Sequence, residues 1–216
     1  MQILVMAATE MEIAPFLSDN SSTDTLITGV GAPDAIYHLL KRVHQIDYDI
    51  IIQAGICGSF STENNLGDCV LVKQDVFADL GINERNNFFS LFDIGFAAPD
   101  NFPYKKGWLI NEHALINEAP IKKVKGITVN TVGENKAQTD LFIEKYQPAI
   151  ESMEGAVLHY VCLQENIPFL QLRSISNFVG ERDKTKWKMK EAIHHLNITL
   201  KQVIDQHTNC AFNANQ

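Results

Sequence analysis

Short runs that are apolar at nearly every position set the strongest limit on this fold. Gln2–Ala8 is one, Asp49–Ala54 is another, and Val70–Phe77 opens on a third. A strand with one wet face alternates polar and apolar residues. A run apolar throughout is covered on both faces. Between these runs lie segments with helical spacing, such as Ala32–His44, which puts Ala35, Leu39 and Val43 on one side. Strands alternating with helices predict a single α/β domain, with a mixed, mostly parallel central sheet flanked by helices on both faces. Further strands are expected over Thr25–Gly29, Val124–Val132 and Phe169–Ile175. Helices are expected over Glu10–Leu17 (capped by Thr9), Lys136–Tyr146 and Met153–Glu165, with Lys184–Val203 a long helix or a broken pair. The domain should span 1–207 and leave 208–216 as a polar tail.

Composition narrows the function. The 216 residues are 45% hydrophobic and 20% charged, the balance of one globular domain with a sizeable core. The net charge is −8, and the basic pairs Lys105-Lys106 and Lys122-Lys123 are isolated. Nucleic acid and anionic membrane are poor partners for such a chain. Cysteines stand at 57, 69, 162 and 210, with no C-x-x-C and no Cys/His spacing suited to a metal. No cationic leader or membrane-length run is seen, so a reduced, cytoplasmic setting is expected, with no metal. Gly29-Val30-Gly31 lacks the third glycine and downstream acid of a dinucleotide fingerprint and reads as a tight turn, so no cofactor is expected.

Ligands of such sheets bind beyond the carboxyl ends of the strands. Glu10 and Glu12, the glycine-bearing loop Gly55–Ser59, Val132-Gly133 and Ser176-Asn177 are all expected there. Read alone, Glu10 and Glu12 are first of all partners for a helix dipole. Glu154 opens a helix after a strand. A carboxylate there could accept both hydrogen bonds of a vicinal diol, or serve only as an N-terminal acid. Asn177 closes a strand, where an amide could read the edge of a flat heterocycle or simply make a turn. The stretch Leu80–Lys106 gathers Phe88, Phe89, Phe92, Phe96, Phe102 and Tyr104 without clear periodicity. It could pack on the core, cover a site, or form an interface.

Taken together, these elements resemble the purine nucleoside phosphorylase/nucleosidase superfamily over nearly the whole chain. The opening strand followed by Glu10-x-Glu12, the Gly29-x-Gly31 turn, Gly55-Ile56-Cys57-Gly58, Leu66-Gly67-Asp68 and Met153-Glu154-Gly155-Ala156 are similar to the methylthioadenosine/S-adenosylhomocysteine nucleosidases. The last motif is the most specific. The resemblance implies that Glu12 handles the water nucleophile, Glu154 holds the ribose hydroxyls, Met153 packs on the sugar, and the residue after Ser176 meets purine N7, and that the chain forms a homodimer or higher homo-oligomer. Ile56, Val132, Gly133, Ser176 and Phe178 are further candidates for the substrate site, and Arg182 could pair with a substrate carboxylate or simply form surface ion pairs with Glu181 and Asp183.

Two departures narrow it further. Asn177 replaces an aspartate, and Ile56 replaces a small hydroxyl residue. The segment from Arg173 to Asp183, followed by Trp187, is similar to the futalosine hydrolases, which remove hypoxanthine from an inosine-like nucleoside in menaquinone synthesis. Chemistry favours the same branch. A 6-oxopurine presents the acceptor O6, which repels a carboxylate and accepts from an amide. Asn177 therefore suits hypoxanthine, with Glu12 and Asn177 as the catalytic residues. An adenine-type nucleosidase, an inosine-type phosphorylase and a non-catalytic nucleoside-binding protein are the alternatives. The four arginines, Arg42, Arg85, Arg173 and Arg182, form no evident phosphate cluster.

Overall fold

The computed structural model describes residues 1–19, 22–85 and 87–213, with side chains to 208. In chain order, β1 (Ile3–Ala7), α1 (Glu10–Ser18), β2 (Asp24–Ile27), α2 (Ala32–Val43), β3 (Ile50–Ser59) and β4 (Cys69–Asp75) come first. The short strands β5 (Gly81–Glu84), β6 (Asn87–Ser90), β7 (Tyr104–Lys105) and β8 (Trp108–Ile110) and the single turn α3 (Leu115–Glu118) follow. Then come β9 (Lys122–Thr128), α4 (Lys136–Tyr146), β10 (Ile150–Ser152), α5 (Gly155–Gln164), β11 (Phe169–Phe178), a 3₁₀ turn (Lys184–Lys186) and α6 (Met189–Asn213). The segment expected as a polar tail is helical to Asn213, and residues 214–216 lie outside the described residues.

The sheet is mixed. Strands β2-β1-β3 are parallel, and β3 also runs parallel to β11, from Phe169 opposite Ile51 to Phe178 opposite Ser59. The antiparallel pairs of this sheet are β10 with β3, β11 with β4, β4 with β8 and β7 with β8. Since β11 pairs with both β3 and β4, while β9 joins β4 to β10 and β10 returns to β3, five strands close into a ring. Each contributes to one buried cluster: Cys57, Val70, Val72, Val124, Ile150 and Ile175.

Alternation along β1 divides the remaining core. Ile3, Val5 and Ala7 pack with Ile13 and Phe16 of α1 and with Leu196, Leu200 and Val203 of α6. Leu4 and Met6 pack with Ala35 and Leu39 of α2 and with Val157, Leu158 and Val161 of α5. The period-2 geometry of a strand feeding two apolar clusters is the reason for the uniformly apolar sequence of β1.

Two strands run longer than their apolar cores suggest. The glycines of Gly55–Ser59 predict a loop, but these residues continue β3, and Ser176 and Asn177 continue β11 rather than follow it. Gly55 marks a close approach instead of a turn. A Cβ there would overlap Nη1 of Arg173 and lie 3.0 Å from Oε1 of Glu12. The aromatic stretch begins as the hairpin β5–β6 and continues through turns to β7. Phe92 stacks edge-on against Tyr104 with centroids 5.1 Å apart, whereas Phe96 and Phe102 are exposed.

Candidate active site

A cavity of about 240 Å³ opens where β1, β3, β10 and β11 end. Its wall holds Glu12, Ile56, Val132, Gly133, Met153, Glu154, Ser176, Asn177 and Arg182, which come from six separate stretches of chain. Phe178 does not line it, and none of the phenylalanines between 88 and 102 does. Val30 and Met11, both exposed, and Trp187 complete an apolar mouth.

Glu12 is the third residue of α1 and forms a reciprocal cap with Thr9. Its Oε2 accepts from the Thr9 backbone N–H at 3.0 Å and from the Thr9 hydroxyl at 3.1 Å. Its Oε1 accepts from the Ile56 N–H at 3.0 Å. The carboxylate is thereby held between the start of α1 and the wall of β3, although it is only 6% exposed. Glu10 does not line the cavity and is exposed.

Glu154 occupies the cap position of α5 and is 4% exposed. Its Oε1 accepts from the Gly31 N–H at 2.9 Å. Gly31 has φ +94, a backbone conformation in which glycine is strongly favoured, and this conformation sets the amide that meets Glu154. Burial raises the Glu154 carboxyl above its ordinary range, and the Arg173 guanidinium and the Gly31 amide oppose that shift.

Arg173 is the residue that sequence reasoning left without a role. It is 2% exposed in the middle of β11, with Nη1 3.9 Å from Oε2 of Glu154 and 3.5 Å from the Ile56 carbonyl. Its Nε and Nη2 have no partner among the described residues. The guanidinium lies behind the cavity wall, where its charge faces the Glu154 carboxylate. The signal was present: a strand that should be apolar carries an arginine at its centre.

Elsewhere in the wall, the Ser176 hydroxyl donates to Asn177 Oδ1 at 2.8 Å, and Asn177 Nδ2 donates to the Phe178 carbonyl at 3.1 Å. Asn177 and Glu151 are both registered with Gly58, on its two neighbouring strands. Both lean over that glycine: a Cβ on Gly58 would lie 3.4 Å from Asn177 Nδ2 and 3.5 Å from Glu151 Cγ. Sequence reasoning overlooked Glu151 as well. Burial pushes its carboxyl up to about 7, opposed by Arg182. Cys57, in the same wall, is pushed up to about 12 by burial and so remains a thiol at neutral pH.

Arg182 projects into this wall with its guanidinium over the Trp187 ring, 5.8 Å from the centroid. The acids beside it are engaged elsewhere. Glu181 pairs with Lys186 at 2.7 Å, and Asp183 accepts from the Thr185 backbone N–H at 3.0 Å.

A glycine turn thus holds one buried carboxylate, a capped helix holds another, and a ringed sheet joins them. The chain belongs to the phosphorylase superfamily, whose family model matches residues 26–206. Within that superfamily it is similar to the futalosine hydrolase of Thermus thermophilus, 29% identical over 83% of this chain and 80% of that protein. It is also similar to the futalosine hydrolase of Streptomyces coelicolor, 32% identical over 79% of this chain and 73% of that protein. The fold matches the native structure of futalosine hydrolase from Helicobacter pylori with a TM-score of 0.77 at 16% identity, covering 94% of this chain and 97% of that one.

Proposed function

We propose that this protein is an N-glycosidic hydrolase that releases hypoxanthine from futalosine, leaving dehypoxanthine futalosine, in menaquinone synthesis. The observation that carries the reading is the Asn177 amide in the wall of a cavity that also holds two buried carboxylates, Glu12 and Glu154. Glu12 orients and deprotonates a water below the anomeric carbon. Glu154 binds the ribose hydroxyls, and Met153 packs on the sugar. Asn177 donates to O6 of the leaving base and accepts from N7 as it gains a proton. An amide is too weak an acid to supply that proton. Glu151, with a carboxyl near 7, is the nearby group able to do so. The bond to the base breaks with its electron pair passing to the purine, and water adds to the oxocarbenium-like sugar. The reaction as written draws on water and side chains alone.

Arg182, over Trp187 and beside Glu151, is the guanidinium left to pair with the benzoate carboxylate of the substrate, since Glu181 pairs with Lys186. Ile56, Val132, Gly133 and Ser176 shape the remaining wall, and Phe178 acts from behind it through the carbonyl that fixes Asn177. The reading includes a cytoplasmic homodimer or higher homo-oligomer, with the exposed Phe96 and Phe102 at a subunit contact. It also includes a sheet covered by helices on both faces, which the division of β1 between two apolar clusters supports.

The test is incubation with futalosine, inosine and methylthioadenosine in phosphate-free buffer, with chromatography of the released bases. Hypoxanthine from futalosine is expected. Release of adenine alone, or turnover only with added phosphate, would overturn the reading.

A further inference from the structure

Helix α1 is broken just behind the residue proposed as the base. Pro15 has no N–H to offer Met11, and its ring crowds that carbonyl, so the chain leaves helical geometry at Ile13 (φ −119, ψ 16). A continuous helix would join the Phe16 N–H to the Glu12 carbonyl. Here the side chain of Asn197, reaching across from α6, stands in that gap. Its Oδ1 accepts from the Phe16 N–H at 3.0 Å, and its Nδ2 donates to the Glu12 carbonyl at 2.9 Å and to the Ile193 carbonyl at 2.7 Å. The amide is 7% exposed, and its orientation is fixed by one donor on one side and two acceptors on the other. Aspartate presents the two carbonyls with an acceptor, and an aliphatic side chain leaves all three backbone groups unpaired.

We infer that Asn197 is a positioning residue for the reaction: it splints the break in α1 and thereby holds the backbone of Glu12 where its carboxylate meets both Thr9 and Ile56. The inference rests on the assignment of Glu12 as the base. The carboxylate is tied to two separate elements, the start of α1 and the wall of β3. It can satisfy both only while the backbone of Glu12 stays at one distance from β3. The neighbouring link between the same helices, Lys201 to Asp19 at 3.2 Å, is exposed and makes no contact with Glu12.

The test compares kcat and KM for futalosine in Asn197→Asp, Asn197→Ala, Glu12→Gln, the double variant Glu12→Gln/Asn197→Asp, and Lys201→Met as control. Active folded protein is counted in each. Asn197→Asp is expected to lower kcat by about 10- to 100-fold with KM within about 3-fold, since small misplacements of a reacting group carry such penalties. Glu12→Gln should lower kcat by about 10²- to 10⁴-fold. Adding Asn197→Asp to it should then change kcat by less than about 2-fold, whereas a merely structural role would multiply through both backgrounds. Lys201→Met should match the unmodified protein. If Asn197→Ala does not fold, Asn197→Asp and the unmodified protein carry the test: the Phe16 amide of the latter should exchange with solvent as slowly as the core amides of α6. Rapid exchange at Phe16, or normal kcat in Asn197→Asp alongside an inactive Glu12→Gln, overturns the inference. A fully active Glu12→Gln instead overturns the assignment of the base itself.

Discussion

In the proposed reading Asn177 distinguishes the base and Arg182 the benzoate, and both stand in the same cavity wall. Asn177→Asp keeps the size of the side chain and the hydroxyl contact from Ser176, but replaces the donor facing O6 with an acceptor. The preference for hypoxanthine over adenine nucleosides should fall by about 10²-fold, because a mismatched buried polar group costs several kcal/mol. Rates on inosine and adenosine, measured in both proteins, check this; an unchanged ratio removes Asn177 from base selection. Arg182 makes its contact with Trp187 at the cavity wall, outside the cluster around Glu12 and Glu154. Arg182→Ala should raise KM for futalosine by about 10-fold or more, the scale of one charge-assisted pair, and leave inosine cleavage within about 2-fold. Equal losses on both substrates would assign Arg182 to the structure of the loop. Of these two residues, Asn177 was legible in the sequence as a candidate for reading the base. The state of Arg182 was not, because only the structure shows Glu181 and Asp183 engaged with Lys186 and Thr185.

At the scale of the element, β3 shows how one strand serves both core and site. Ile50, Ile52 and Ala54 enter one apolar cluster and Ile51 another, while the next five residues form the wall of the cavity and its ring. The two glycines of that second half have different tolerances. At Gly55 an added methyl collides with the buried Arg173 guanidinium and approaches Glu12. Gly55→Ala should therefore lower stability by about 1–3 kcal/mol as well as activity. At Gly58 the same methyl meets Val179, Asn177 and Glu151 at 3.2 to 3.5 Å, in a partly open cavity. Gly58→Ala should fold with a melting temperature close to that of the parent and lose affinity for the purine. Thermal unfolding and KM, measured on both variants, separate the cases; equal destabilisation would contradict this account of the wall.

Across the whole molecule, several buried titratable groups tie stability to pH, and their signs differ. Burial pushes Glu151 up to about 7 and Asp75 up to about 6. Both folded-state values lie above the unfolded ones, so each group's contribution is complete below its unfolded pKa and is lost as pH rises through the folded value. His159 is buried between the Leu109 carbonyl and the Phe169 ring and is pushed down to about 4. It therefore opposes the acids below pH 6.5. A comparison with Glu151→Gln cancels every group but one. Between pH 4.5 and 7 the parent should lose stability relative to the variant at up to about 1.4 kcal/mol per pH unit, the limit for one proton, and the difference should level off above pH 7. Denaturant unfolding across this range checks the slope. A flat difference would mean that Glu151 titrates alike in the folded and unfolded protein, which would also deny it the role of proton donor at neutral pH.

The sequence by itself determined the α/β class, the order of most strands and helices, and the two acids at the start of α1 and α5. Those features are local: an apolar run buries both faces of a strand, Thr9 three residues before Glu12 makes a cap, and Lys136–Tyr146 forms a helix at the expected bounds. Tertiary structure alone decided that Gly55–Ser59 is strand, that β11 joins β3 to β4 and closes the ring, and that Arg173 comes beside Glu154, Glu151 beside Asn177 and Asn197 beside Glu12. A glycine that makes a turn and one that admits a neighbouring guanidinium look the same in one dimension. So do a solvated asparagine and one that splints a helix 185 residues away. Contacts of that sequence separation leave no periodic trace, because each depends on where two distant backbones meet and not on the spacing within either.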